Sequence, residues 1–201
     1  MHSRYHCAFA VALLLCSVVR PDNVQAQSEP EGAGRVWAEV GLGGARQSQG
    51  CRGCVLHDPI GGLTVSAAAG ISFAHGVGAA VLTRAFQEFS FEYVQGSRYV
   101  VGLAQYTPPG TTFVTLNTGA GWGTHHGDSA PYANNGRGAV LAVGLAIRVP
   151  AGGRVAMSVS GDVLQSVSGA RESAVGGTAS RYHPRLVTVS VGLSVASSRS
   201  H

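Results

Sequence analysis

The sequence predicts an all-β fold, an eight-stranded antiparallel up-and-down transmembrane β-barrel. Three observations support this prediction. Long segments of the chain alternate between aliphatic residues and small or polar ones. Only 12% of the 201 residues are charged, no lysine is present, and 29 residues are glycine. Short turns alternate along the chain with long polar connections, which is the order found in barrels that cross a membrane.

The first 26 residues predict a cleaved signal peptide that precedes the fold. An uncharged run at 7–19 is too short to span a bilayer as a helix but has the length of a signal-peptide core. The small residues of Val24-Gln25-Ala26 suit cleavage after Ala26. The sequence therefore divides into a signal peptide at 1–26, a flexible lead-in at 27–34, a barrel domain at 35–196 and a C-terminal tail at 197–201.

Eight segments show the period of two that is typical of β-strands, and each has roughly the ten residues that a tilted strand needs to cross a bilayer. The last segment is the clearest, because Val or Leu occupies every odd position from Val187 to Val195. The segment 98–107 is apolar at both parities, so its faces are not assigned by the sequence. The eight segments lie at 36–43, 63–73, 77–89, 98–107, 111–124, 139–149, 155–165 and 187–195.

A water-soluble β-sandwich alternates in the same way and is the alternative fold. Its wet face should carry many Lys, Glu and Asp side chains. Here the less apolar parity holds mostly Gly, Ala, Ser and Thr with isolated charges. A small closed barrel fills its interior with small residues and paired charges and turns its aliphatic side chains towards lipid. The composition of the two parities therefore favours the transmembrane barrel.

The connections between segments predict the two ends of the barrel. Short turns rich in Gly and Pro lie at 74–76, 108–110 and 150–153, and long polar connections lie at 46–61, 125–137 and 166–184. The connection at 93–97 is compact and breaks the alternation. Outer-membrane barrels have short periplasmic turns and longer outer loops. We therefore expect both chain ends and the three short turns to be periplasmic.

Aromatic residues lie mostly near the ends of the predicted strands. Two girdles at the two membrane interfaces are a signature of membrane barrels. Trp37 is an exception within the set, because its parity points inward. The predicted girdle residues are Trp37, Phe73, Phe89, Phe91, Tyr93, Tyr99, Tyr106 and Trp122.

Five charged residues at inward parity predict a charge network inside the barrel: Glu39, Arg84, Glu88, Arg148 and Asp162. Charges inside a narrow barrel must pair, because an isolated buried charge is costly. Arg84 and Asp162 lie at similar distances from their short turns, so they are the expected partners, with Glu39 and Glu88 competing for Arg84. A structural role is favoured over a proton path, since eight strands leave no continuous channel.

Two cysteines, Cys51 and Cys54, lie in the first long connection. In an exported protein, cysteines this close most often form a local disulfide. A metal site that adds His57 and Asp58, or a redox site, is the alternative. We predict the disulfide, no metal and no cofactor.

The stretch from His125 to Ser129 contains histidine, aspartate and serine at an outer strand end. These residue types can together activate a hydroxyl. A polar connection without chemistry is favoured over catalysis, because such motifs recur by chance. We therefore predict no catalytic residues, with a barrel enzyme that acts on lipid as the alternative.

The chain resembles the small eight-stranded outer-membrane β-barrel proteins of Gram-negative bacteria, specifically the outer membrane protein beta-barrel domain family. The resemblance rests on Trp37–Ala45, the Cys51–Cys54 pair, Val101–Pro109, Gly119–Trp122 and Val187–Val195. One difference is the C-terminus, where such barrels usually end on an aromatic residue and this chain continues after Val195 as ASSRSH.

The resemblance implies a location in the bacterial outer membrane and a structural or surface-interaction role through the outer loops. The implied partners are outer-membrane lipid and lipopolysaccharide, the outer-membrane assembly machinery and an unknown extracellular partner. A soluble exported binding protein is the alternative. Nucleic acid is not an expected partner, because a net charge of +4 is small and dispersed.

Overall fold

The computed structural model describes residues 35–50, 59–88, 94–111, 113–129, 132–168, 170–174 and 180–197. Nearly all of these residues lie in β-strands. None of them forms a helix long and apolar enough to cross a membrane. The strands are β1 (Arg35–Gly50), β2 (Ile60–Ser72), β3 (Val77–Glu88), β4 (Val94–Tyr106), β5 (Val114–Ser129), β6 (Tyr132–Gly152), β7 (Val155–Ser166), β8 (Ala170–Ala174) and β9 (Ser180–Ala196).

Eight of these strands close into an antiparallel barrel. Each strand from β1 to β6 pairs with the next, β7 pairs with β9, and β9 pairs back with β1 from Trp37↔Ala196 to Gly50↔His183. The short strand β8 pairs with β6 and β9 outside this ring. Closure leaves no free sheet edge, which is the requirement for β-structure in a bilayer. The predicted fold class is confirmed.

The two parities of each wall strand face opposite sides of the barrel. The outward face is aliphatic and exposed, as at Val40 (62% exposed) and Val189 (63%). Inward neighbours are buried, as at Thr188 (1%). The structure also assigns the faces of β4, where Tyr99 and Val101 point inward and Val100 points outward. The sequence left β4 ambiguous because this wall places apolar side chains both in the interior and on the outer surface.

The interior is more apolar than the sequence analysis predicts. Large side chains form a buried cluster instead of leaving the space to small residues and charges alone. Its largest members come from β1, β3, β4, β6, β7 and β9, so the cluster extends around most of the wall. They are Trp37, Leu82, Phe86, Tyr99, Val101, Leu103, Val140, Leu164 and Leu186.

The short turns lie where the sequence predicts them, at one end of the barrel. A 3-10 turn at Ala74–Gly76 joins β2 to β3, and its His75 adopts a left-handed conformation with φ 61°. Glycines take the positive φ angles in the other two turns, at Gly110, Gly152 and Gly153. All three turns therefore have compact backbone geometry.

The long connections at the other end are shorter than predicted, because the strands continue into them. Most of the stretch 125–137 is strand, because β5 and β6 remain paired from Thr124↔Arg137 to Ser129↔Tyr132. β1 extends to Gly50, and β8 occupies part of 166–184. Small and polar residues still pair their backbones there, and this pairing does not need the aliphatic pattern by which the segments were recognised.

Close strand approach fixes the identity of one interior glycine. A Cβ atom at Gly121 on β5 would collide with the carbonyl oxygen of Val100 and lie 2.6 Å from the Cα of Val101 on β4. Gly161 on β7 differs, because a Cβ atom there would lie 3.8 Å from its nearest neighbour, the carbonyl oxygen of Thr188.

We expect Gly121→Ala to lower the free energy of unfolding by about 1–3 kcal/mol, because the methyl group meets backbone that cannot rotate away. Gly161→Ala is the matched control, and it should change stability little. Urea unfolding in detergent measures both. Equal costs for the two substitutions would contradict the close approach of β4 and β5.

Candidate functional site

The centre of the barrel holds an ion pair between opposite walls. Arg84 on β3 donates from Nη2 to Oδ2 of Asp162 on β7 at 2.7 Å, and the two side chains are only 2% and 7% exposed. Arg84 also donates from Nη1 to the hydroxyl of Thr188, which is the cross-strand neighbour of Asp162. Gly144 leaves the space that this carboxylate occupies, because a Cβ atom at position 144 would collide with Asp162 Oδ1.

A second ion pair lies closer to the short turns. Arg148 on β6 donates from Nε to Oε2 of Glu39 on β1 at 3.0 Å and from Nη1 to the hydroxyl of Thr115 at 3.2 Å. Its guanidinium carbon lies 4.5 Å from the ring centre of Trp37, a cation–π geometry. Both lumen arginines thus have a carboxylate and a hydroxyl as partners.

Little space is left between the two ion pairs. The cavity between them measures about 30 Å³, and its lining includes both pairs together with Trp37, Gln105 and Asn117. A single water molecule needs roughly 10–15 Å³ of such space, so the cavity is a pocket for a few waters at most. Gln105 and Asn117 also bond to each other, from Nε2 to Oδ1 at 2.9 Å. The middle of the barrel is therefore filled.

An apolar layer covers the central ion pair on the outer side. Two residues beyond Arg84, Asp162 and Thr188, the next inward positions are Phe86, Leu164 and Leu186, all buried. This layer separates the charges from the outer end of the barrel. It lowers the local dielectric, and a low dielectric strengthens the attraction between Arg84 and Asp162.

A third polar group lies beyond the apolar layer. His125 on β5 faces inward, with Nδ1 2.9 Å from the hydroxyl of Ser97 and Nε2 3.2 Å from the hydroxyl of Ser166. Ser97 in turn donates to Oε1 of Gln47 on the opposite wall at 2.8 Å. These bonds connect β1, β4, β5 and β7 across the outer lumen.

The two adjacent histidines do not form one site. His125 is buried in the lumen, whereas His126 is exposed on the outer surface, because successive residues of a strand face opposite sides. The side chains of Asp128 and Ser129 lie outside the described part of the structure. The described contacts of His125 run to hydroxyl groups on the barrel wall, which gives it a structural position.

Glu88 is the one predicted lumen charge that the structure leaves outside both ion pairs. It faces inward and is buried at the outer end of β3, and its Oε2 has no hydrogen-bond partner among the described residues. It lies four residues along the same extended strand from Arg84, too far for contact. Asp162 is therefore the partner of Arg84, and Arg148 takes Glu39.

The aromatic girdle needs two corrections. Trp37 (8% exposed) and Tyr99 (1%) point into the lumen, where Trp37 packs against Arg148 and Tyr99 stacks edge-on with His125 at 5.5 Å between ring centres. Phe73, Tyr106 and Trp122 are exposed on the outer side, and their place in a girdle stays a prediction. The remaining girdle residues Phe89, Phe91 and Tyr93 lie outside the described residues.

Several predictions concern parts of the chain that the structure does not describe. The signal peptide, the disulfide of Cys51 and Cys54, and the alternative ligands His57 and Asp58 all lie there. Among the described residues, no group of three or more His, Cys, Asp or Glu side chains could hold a metal ion.

Sequence reasoning missed the uncharged polar partners inside the barrel. Gln47, Ser97, Thr115, Ser166 and Thr188 have no charge to draw attention, yet each bonds to a lumen side chain. Strand parity could have found Thr115, Ser166 and Thr188, which share the inward parity of their strands with Asn117, Asp162 and Ser190. Ser97 required the face of β4, which the sequence does not reveal.

The arrangement defines a closed barrel with an aliphatic outer surface and a filled lumen. No protein-family model matches the sequence, and no curated protein sequence matches it. Among solved structures, it is similar to Neisserial surface protein A, with 14% sequence identity and a TM-score of 0.56 over 83% of this chain and 99% of that one. It is also similar to the outer membrane protein AlkL, studied in DMPC lipid bilayers, with 12% identity and a TM-score of 0.52 over 89% of this chain and 97% of that one. The chain thus has the fold of the small outer-membrane β-barrels.

Direct contact between Arg84 and Asp162 predicts strong energetic coupling. We expect Arg84→Met to destabilise the barrel by about 3–5 kcal/mol, because it leaves a buried carboxylate without its partner. Adding Asp162→Leu should recover part of the loss. Urea unfolding in detergent of both single variants and the double variant measures the coupling. The control cycle combines Arg84→Met with Glu88→Gln, for which we expect additive effects; additivity in the Arg84–Asp162 cycle would rule out the partnership.

Proposed function

We propose that the protein is an integral β-barrel of the bacterial outer membrane with a filled lumen. In this proposal its role is structural or interactive, through outer-membrane lipid, lipopolysaccharide and an unknown extracellular partner at the outer strand ends. Signal-peptide-directed export by 1–26, insertion by the outer-membrane assembly machinery and a Cys51–Cys54 disulfide belong to the same proposal.

The aliphatic belt is the observation that carries the proposal. We use this name for the outward-facing side chains of the eight wall strands between the two rims. Long runs of it are purely aliphatic, as at Leu141, Val143, Leu145 and Ile147 on β6. The described outward positions between the rims carry no charge on any wall strand. In water such a continuous apolar surface would promote aggregation, whereas in a bilayer it is the favoured surface.

The filled lumen supports an interactive role over a conducting one. Two ion pairs, an apolar layer and the His125 group follow each other along the interior, and the cavity between the ion pairs is about 30 Å³. An aqueous path for solutes would have to break these contacts. The outer strand ends then provide the accessible surface, and extended pairs such as Ser129↔Tyr132 give that surface a β-structured base.

The aliphatic belt predicts a depth-dependent penalty for charge. We expect Val143→Arg, at the middle of β6, to cost about 2–4 kcal/mol, because the guanidinium group is placed at the bilayer midplane. Val36→Arg is the matched control at the rim of β1, and it should cost roughly 0–1 kcal/mol. Heat-modifiable gel migration of the membrane fraction, followed by urea unfolding, measures both. Equal tolerance of the two substitutions, or a wild-type protein found only in the soluble fraction, would contradict a membrane barrel.

The proposed orientation places β8 and the start of β9 outside the cell and the short turns in the periplasm. A protease site inserted at Gly176-Gly177 should therefore be cleaved on intact cells. The same site inserted at Gly152, in the turn between β6 and β7, should be cleaved only after the outer membrane is permeabilised. The reverse pattern would show the opposite orientation.

A further inference from the structure

The outer rim of the aliphatic belt carries four exposed arginines that the lumen does not use. On the outward face of β1, β4, β6 and β9, an arginine follows the aliphatic residues at the end of the barrel opposite the short turns. These arginines are Arg46, Arg98, Arg137 and Arg185. The opposite rim differs, because the outward face there begins on apolar residues such as Val36 and Val195.

Two of these arginines lie in one row of paired residues. Arg98 on β4 pairs with Thr124 on β5, and Thr124 pairs with Arg137 on β6. Neighbouring strands are about 4.8 Å apart, so the two arginine Cα atoms flank Thr124 at roughly 10 Å from each other. His126 is the next outward residue of β5. We call Arg98, Thr124, His126 and Arg137 the arginine patch.

The same row continues away from the patch as an apolar surface. Arg98 pairs with Ala85, Ala85 with Val65, and Val65 with Leu42. A surface groove of about 550 Å³ follows this row from Leu42, Leu63 and Val65 to Arg98, Thr124 and His126. That volume lies within the range of small-molecule sites. The groove is therefore apolar at one end and cationic at the other.

Among the described side chains, no carboxylate pairs with Arg98 or Arg137. The described side chains include three carboxylates, at Glu39, Glu88 and Asp162, and all three belong to inward positions. No described carboxylate shares the outer surface with Arg98 and Arg137. Arg98 and Arg137 are exposed on the outer face of the barrel, where their side chains can reach groups that surround it.

We propose that the arginine patch binds the phosphate group of an acylated membrane lipid, with an acyl chain in the apolar end of the groove. Arginine recognises phosphate through paired hydrogen bonds, and two arginines whose Cα atoms lie about 10 Å apart on either side of a hydroxyl suit an anionic headgroup. Trp122 and Val100 lie directly below the patch on β5 and β4, so an occupant of the patch also contacts the aliphatic belt. Only an amphiphile satisfies both ends. The inference rests on the proposed membrane location.

Trp122 provides the measurement, because it is exposed under the patch whereas Trp37, the other tryptophan, is buried in the lumen. The full chain is reconstituted in phosphatidylcholine vesicles that contain a brominated lipid, either phosphatidate or phosphatidylcholine. Brominated chains quench the fluorescence of a tryptophan that they touch. We expect each arginine to raise the preference of the site for phosphatidate over phosphatidylcholine by roughly fivefold. Arg98→Gln with Arg137→Gln should reduce this preference to about one.

Arg46→Gln with Arg185→Gln is the matched control, because it removes the same charge from β1 and β9. It should leave the preference at Trp122 unchanged. An equal loss in both double variants would overturn a local site in favour of general attraction. Inorganic phosphate should reduce the preference more than chloride does at equal ionic strength, and an equal reduction by both salts would overturn a specific phosphate site. The single variants Arg98→Gln and Arg137→Gln replace the double variant if it does not insert, and each should lower the preference in part.

The outcome separates this inference from the proposed function. A wild-type protein that inserts but is quenched equally by both lipids would overturn the phosphate site alone. A wild-type protein that does not insert into vesicles of either composition would overturn the membrane location together with the site.

Discussion

Closure of the sheet is the constraint on which the rest of this structure depends. In a bilayer no water is available for unpaired backbone groups, so every strand needs two neighbours. The pairing of β1 with β9 meets this requirement. Once the sheet is closed, each residue has only two possible surroundings, the lumen or the outside. The period of two in the sequence is the direct consequence of that choice.

A ring of only eight strands imposes a second constraint, because its lumen is just wide enough to be filled by side chains. Long residues such as Arg84 reach the opposite wall, and small ones such as Gly144 leave room for a partner. Polar groups placed there must be satisfied by each other. This explains why each lumen arginine contacts both a carboxylate and a hydroxyl, and why hydroxyl-bearing residues are so frequent at inward positions.

The sequence predicts the wall far better than the lumen, for physical reasons. Strands such as β9 alternate cleanly because one face meets lipid and the other meets polar or small residues. β4 does not alternate, because its inward residues Tyr99 and Val101 belong to the buried apolar cluster. Counting residues from the short turns predicts that Arg84 and Asp162 lie at the same height in the barrel. The His125 group could not be predicted in this way, because it includes Ser97 on β4 and the sequence does not assign the faces of that strand. Trp37 shows that position near a strand end does not decide whether an aromatic ring faces lipid.

The exclusive use of arginine follows from the same division of surroundings. All the basic charge of this chain apart from histidine comes from arginine, since lysine is absent. Inside the barrel, a planar group with several donors can satisfy two partners at once, as Arg84 does with Asp162 and Thr188. At the outer rim, the same geometry matches the oxygens of phosphate. A lysine offers a single point of charge, and it would serve neither position as well. Because the described carboxylates are confined to the lumen, the outward arginines remain available to groups outside the barrel. Among the described residues, closure thus explains the charge distribution, because charges inside the barrel must pair with each other whereas those at the rim can face outward.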